Sequence, residues 1–153
     1  MQVEKFMAIF DGLKEAYGTY KIEKRQTNGK NTGKAGVVRE PRTTELWEGH
    51  LSGKGNAIGI IPINADSNCV WGCIDIDQYP LDHTALVAKI RADKLPLVVC
   101  RSKSGGAHCF LFAKDWITAK DMQKTLTMVA AHLGYAGSEI FPKQVRLNLD
   151  RGD

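Results

Sequence analysis

Cys69-Val70-Trp71-Gly72-Cys73-Ile74-Asp75-Ile76-Asp77 has the pattern of a buried strand that ends in acid. Ile74 and Ile76 alternate with Asp75 and Asp77, so both carboxylates are expected on one face of the strand. Residues two apart on one face sit about 6–7 Å from each other. Two like charges that close repel, and burying either without compensation is costly. A divalent cation between them removes the conflict. Hard ions such as Mg²⁺ or Mn²⁺ take carboxylate oxygens, often one or two together with substrate phosphates. Two solvated acids at a strand end are the plainer explanation, so the motif needs support from the rest of the chain.

After this strand, Asp82 is placed to cap a helix from His83 to about Asp93, with Leu86, Val87 and Ile90 inward. Residues 95–101 form an apolar second strand. Ser102-Lys103-Ser104-Gly105-Gly106 turns the chain, and residues 107–112 return as a third. A long amphipathic helix starts at Thr118 or Lys120, buries Met122, Leu126, Val129, Ala130 and Leu133, and stops at Gly134. Residues 139–142 make a short last strand, and the alternating tail at 145–150 suggests another. The fold class is therefore α+β, with an RRM-like (ferredoxin-like) β-α-β-β-α-β core over 69–153.

Residues 1–68 form a smaller α/β appendage within the same single domain. Phe6, Ile9, Phe10, Leu13 and Tyr17 fall at helical spacing within 3–20. Residues 21–42 carry Lys24, Arg25, Lys30, Lys34, Arg39 and Arg42 among few apolar residues. That composition predicts a loop or ribbon, either a solvated surface segment or a basic arm following a phosphate backbone. Thr43 or Thr44 caps a short helix, and residues 57–63 form a strand. A polar turn at 64–68 predicts an antiparallel pair with the opening strand.

The 153 residues suffice for one domain with a real core. A net charge of +4 and a pI near 8.9 fit a polyanionic partner without requiring one. No apolar run is long enough to cross a membrane, and no signal-peptide order opens the chain, so a cytoplasmic protein is expected. The cysteines Cys69, Cys73, Cys100 and Cys109 form no CxxC pair, lie in apolar strands, and are expected to be buried and reduced rather than zinc-bound.

Two further segments carry chemistry. In the turn 102–106 the glycines let backbone N–H groups approach an anion, and Ser102, Lys103 and Ser104 add donors. His108 follows at the start of the return strand, within reach of a phosphate oxygen. Glu139 opens the last strand. In a β-α-β-β-α-β sheet the first and third strands are central and the last lies beside the first, so Asp75, Asp77 and Glu139 are expected on one side of the sheet. Three acids facing a glycine-serine-histidine turn suit two-metal nucleotidyl transfer.

Asp75-Ile76-Asp77, Ser102-Lys103-Ser104-Gly105-Gly106-Ala107-His108 and Glu139-Ile140-Phe141-Pro142-Lys143-Gln144 resemble, in order, the three motifs of the archaeo-eukaryotic primase superfamily. The likeness is greatest to the primase-polymerase domain of TOTE conflict systems and related phage proteins. His50-Leu51, Gly53 and Gly59-Ile60-Ile61-Pro62-Ile63 resemble that branch too, so the similarity runs from His50 to the C-terminus. It implies an archaeo-eukaryotic primase fold and a DNA primase-polymerase that joins NTPs or dNTPs on a DNA template, in a bacterial or phage-infected cell. It implies Asp75, Asp77 and Glu139 as ligands of two Mg²⁺ or Mn²⁺, and His108 as holder of the incoming phosphates. A helicase domain or subunit is an implied partner, and the chain is expected to be a fragment or a minimal module. Two positions depart from the pattern: Gly106 stands where many members have serine, and the third acid is Glu139 where many have aspartate. Asp150 competes for that role.

Ser102, Lys103, Ser104, Gly105 and Gly106 are thus expected to bind nucleotide, with Lys143 and Arg146 touching nucleotide or template. Tyr79 packs under a sugar or closes a turn. His83 and His132 are expected to face solvent, and Trp47, Trp71 and Trp116 to fill core or seams. Two other functions fit parts of the pattern. An RRM-like module would bind single strands without catalysis, but it relies on exposed aromatics where this chain offers acids. A metal-dependent nuclease would use the same acids but gives no reason for a triphosphate-binding turn.

Overall fold

The computed structural model describes residues 2–25 and 31–148. The chain divides into two compact units, one up to Ile61 and one from Pro62 onward.

The first unit runs α1 (Gln2–Ile9), β1 (Tyr17–Arg25), β2 (Asn31–Val38), α2 (Thr44–Leu51) and β3 (Ala57–Gly59), with its strands in the order β2-β1-β3. The expected helix over 3–20 stops early. Its helical spacing holds through Phe6 and Phe10, whose rings stack at 6.2 Å. Beyond Gly12, the Tyr17–Tyr20 stretch is rich in strand-forming residues and pairs instead with both β2 and β3. The basic segment is a ribbon, the β1–β2 hairpin; Lys30 lies outside the described residues. Arg42 does not belong to an exposed arm. Its side chain is 9 % exposed, and its guanidinium lies 3.4 Å from the Asp11 carboxylate and donates to the carbonyls of Phe10 and Gly12. Thr43 caps α2 by accepting from the N–H of Leu46. Leu13, Ala16 and Trp47 are buried.

The second unit runs β4 (Asn68–Ile76), α3 (His83–Ala92), β5 (Leu97–Arg101), β6 (Ala107–Thr118), α4 (Ala119–Leu133) and β7 (Glu139–Phe141). Its sheet order is β5-β6-β4-β7, every neighbouring pair antiparallel. The first and third strands are central and the last lies beside the first, as the β-α-β-β-α-β plan requires. The expected pairing of residues 57–63 with β4 does not form. Both edges of β4 are filled, by β6 and β7, and β3 pairs with β1. Nor is there a strand over 145–148; the N–H of Leu147 donates to Ser67 Oγ at 3.0 Å instead.

Alternate residues of β4 serve two faces. Ile74 and Ile76 are fully buried, with Met122, Leu126 and Ala130 of α4 and Leu86 and Ile90 of α3 in the same core. Each such aliphatic side chain contributes about 1.5–3 kcal/mol by leaving water. The helix lies close to the strand at Gly72, where an added Cβ would stand 2.6 Å from Leu126 Cδ1 and 2.7 Å from Met122 Cγ. Thr118 caps α4 through the N–H of Asp121, and Gly134, with φ 93°, ends it in the left-handed region. Asp82 likewise caps α3.

All the cysteines are free. Burial pushes the Cys69 and Cys109 thiols up to about 11, and Cys73 further. Cys100 breaks the expectation: it is exposed, because β5 is an edge strand and Cys100 stands across from His108 on the face away from the helices.

Candidate functional site

The face of the second sheet opposite its helices carries a row of candidate site residues. Asp75 on β4 is in register with Glu139 on β7 and with His108 on β6; Cys100 on β5 continues the row. Directly opposed residues of an antiparallel pair carry their side chains on one face, with Cβ atoms about 4.5–5.5 Å apart. Glu139 and Asp75 therefore share a side of the sheet, as expected from the strand order.

Asp75 is the strained member. Its side chain is 20 % exposed and its Oδ1 is buried without a hydrogen-bond partner. His108 Nε2 comes within 3.3 Å of that oxygen, near enough for charge attraction but without hydrogen-bond geometry. Burial raises the Asp75 carboxyl above its ordinary value; the His108 ring opposes this, and the charges of Asp77 and Glu139 push it higher. A half-buried carboxylate with one orphaned oxygen and two acidic neighbours suits a hard cation.

The other two acids are held apart by local partners. Glu139 pairs with Lys143 at 2.6 Å, and that ammonium also lies 5.0 Å from the centre of the Phe141 ring. Asp77 lies just beyond the end of β4, exposed, and accepts from the Tyr79 hydroxyl at 2.8 Å. Among the described residues no three acidic, histidine or cysteine side chains are gathered closely enough to hold a metal ion. Like charges repel, and Glu139 and Asp77 each have a counter-charge or donor of their own. Asp150, the competing third acid, lies outside the described residues.

The turn at 102–106 is fastened to the end of β4. The N–H of Ser102 donates to the Gly106 carbonyl at 2.9 Å, and the N–H of Gly105 to the Ser102 carbonyl at 3.1 Å. Gly106 lies so near β4 that a Cβ there would collide with the Ile76 carbonyl oxygen. That contact accounts for glycine at this position, where serine would not fit this backbone. His83 does not simply face solvent, as expected; it is half-buried, and its Nε2 lies 2.9 Å from the Gly106 carbonyl. A carbonyl only accepts, so the bond needs the ring proton on Nε2. Ser104 Oγ lies 2.7 Å from the Tyr79 hydroxyl and 3.2 Å from Ser102 Oγ. Lys103 and Arg146 are exposed.

Gln123 of α4 was not foreseen. Its side-chain amide donates to the carbonyls of Pro142 and Lys143 at 3.1 and 3.0 Å, fixing the backbone that carries Lys143. Its only sequence signal is a polar residue beside Met122 on the buried stripe. Below the acid row stand aromatics, so the face is not purely acidic: Phe141 and Phe110 flank Cys73 in the next row. Phe110 packs against Trp71 at 6.1 Å, Phe112 at 6.1 Å and the His108 ring at 6.0 Å. Trp47 and Trp71 are buried as expected, whereas Trp116 is exposed. His132 is exposed as expected, and its Nε2 lies 2.8 Å from Asp93.

The family model for the TOTE conflict system archaeo-eukaryotic primase domain matches residues 2–148. The chain belongs to that family. No curated protein matches it. The match spans both units of this primase-family domain, including residues before His50 that carried no recognised motif.

Proposed function

We propose that this primase-family domain is a nucleotidyltransferase that joins nucleotides on a DNA template. The observation that carries the reading is the row Glu139–Asp75–His108, with the orphaned, buried Oδ1 of Asp75 at its centre. Archaeo-eukaryotic primase domains are usually nucleotidyltransferases, which supports the same reaction class.

Asp75 and Glu139, with Asp77 at the strand end, are the residues that would hold divalent cations. When bound, such cations acidify an attacking hydroxyl and neutralise charge on the phosphates. The protein's own groups do the rest. The turn presents the backbone and hydroxyls of Ser102 and Ser104 and the exposed ammonium of Lys103, a set that suits a triphosphate. His108, edge-on to Phe110, presents a ring nitrogen beside Asp75 where a phosphate oxygen would be held. Lys143 pairs with Glu139; with a cation held on that carboxylate, its ammonium would be available to a phosphate or the template. The exposed Arg146 is a second cation for that role.

A labelled primer on a DNA template, given nucleoside triphosphates and Mn²⁺, tests the reading. Extension supports it. Shortening of the primer favours a nuclease, and a mobility shift without either favours a strand-binding module; each overturns the proposal.

A further inference from the structure

Four oxygens run in a line from the turn to the strand end: Ser102 Oγ, Ser104 Oγ, the Tyr79 hydroxyl and Asp77 Oδ1, at successive separations of 3.2, 2.7 and 2.8 Å. A phenol has one proton, so Tyr79 cannot donate to both neighbours. An ionised carboxylate only accepts, so the Tyr79 proton goes to Asp77 and Ser104 donates to the Tyr79 oxygen. Ser102 then donates to Ser104. Every proton in the line points toward Asp77, and neither serine of the turn keeps a hydroxyl proton for an anion.

Resting on the nucleotidyltransferase reading, we propose that this hydroxyl line couples the two ligands of the site. With a divalent cation held by Asp77, the phenolic proton would turn to Ser104 instead, and the Ser104 and Ser102 hydroxyls would no longer be committed toward Asp77 and could donate to a triphosphate. The coupling is reciprocal: a triphosphate that draws the serine protons outward leaves Asp77 open to the cation. Tyr79 touches neither ligand in this scheme. It is a positioning residue, 54 % exposed, and its removal leaves the core intact.

The scheme predicts a gain of binding that a merely structural tyrosine would not give. In Tyr79→Phe, Ser104 has no phenolic acceptor, so its proton is available without a cation. Binding of a nucleoside triphosphate analogue with a non-cleavable α,β-linkage is measured by calorimetry, in EDTA and in Mn²⁺. Tyr79→Phe is expected to bind about two- to tenfold more tightly than wild type in EDTA, the worth of one hydrogen bond. In Mn²⁺ the two are expected to bind alike, so the ratio of the two affinities shrinks by that factor. Adding Ser104→Ala to Tyr79→Phe is expected to erase the gain. Unchanged or weaker binding by Tyr79→Phe in EDTA overturns the coupling while leaving the site reading intact. A wild type that binds no triphosphate in either condition overturns both.

Discussion

The two faces of β4 differ in kind although they alternate residue by residue. One face, with Gly72, Ile74 and Ile76, is dry and closely packed against α4. The other presents Asp75 with an orphaned oxygen, between an acid and an imidazole. The first face holds the unit together; on the second, the half-buried Asp75 works against it, since a carboxylate oxygen out of water without a hydrogen bond costs stability. A single strand thus separates the residues that keep the fold from those kept in spite of it.

That contrast breaks most readily at Ile74. Ile74→Ala is expected to cost about 2–5 kcal/mol in a denaturant melt by leaving a cavity; an unchanged midpoint would mean that this face is not the structural one. Asp75→Asn has nearly the same shape on the opposite face. It is expected to lower primer extension by at least about a hundredfold while the melting temperature stays level or rises, and Mn²⁺ should then stabilise the wild type but not the variant. Loss of stability in Asp75→Asn would show that the carboxylate serves the fold. Gly106→Ala sharpens the boundary between the faces. Its Cβ meets backbone rather than a yielding side chain, so a loss of about 1–3 kcal/mol is expected together with weakened nucleotide binding.

The smallest effect is a pH dependence. Asp75 has its pKa raised in the folded state, so the folded protein binds more protons than the unfolded chain, and stability from this group falls as pH rises. The fall begins near the ordinary aspartate value of 3.8 and is complete above the raised one. The stability advantage of Asp75→Asn should therefore be absent below that window and largest near neutrality. A constant difference across pH would remove the burial account.

The second unit was legible because its signals are local. Periods of two and near 3.6 follow one another from residue 69 to residue 141, with caps at Asp82 and Thr118 and a stop at Gly134, and strand order follows from the plan. The acid row was legible by the same route, since register on neighbouring strands follows once the order is fixed. The first unit was legible only in part, through the Thr43 cap, the basic ribbon and the strand from Ala57. Tyr17–Tyr20 continues a helical spacing but finds its stabilisation in β2 and β3, partners that no local pattern names. The polar supports of the site escaped for a similar reason. His83 acts through one hydrogen bond and Gln123 through two, all to distant carbonyls, which leave no periodicity in the chain.

The wedged position of Gly106 has a consequence for how a ligand is received. Its carbonyl is already claimed by Ser102 and His83 and its α-carbon rests on β4, so the loop enters the encounter with its conformational entropy largely surrendered. That loss is borne once, during folding, and is not levied again at each turnover. Under the proposed function, adaptation to different substrates would be left to the side chains of Ser102, Lys103 and Ser104.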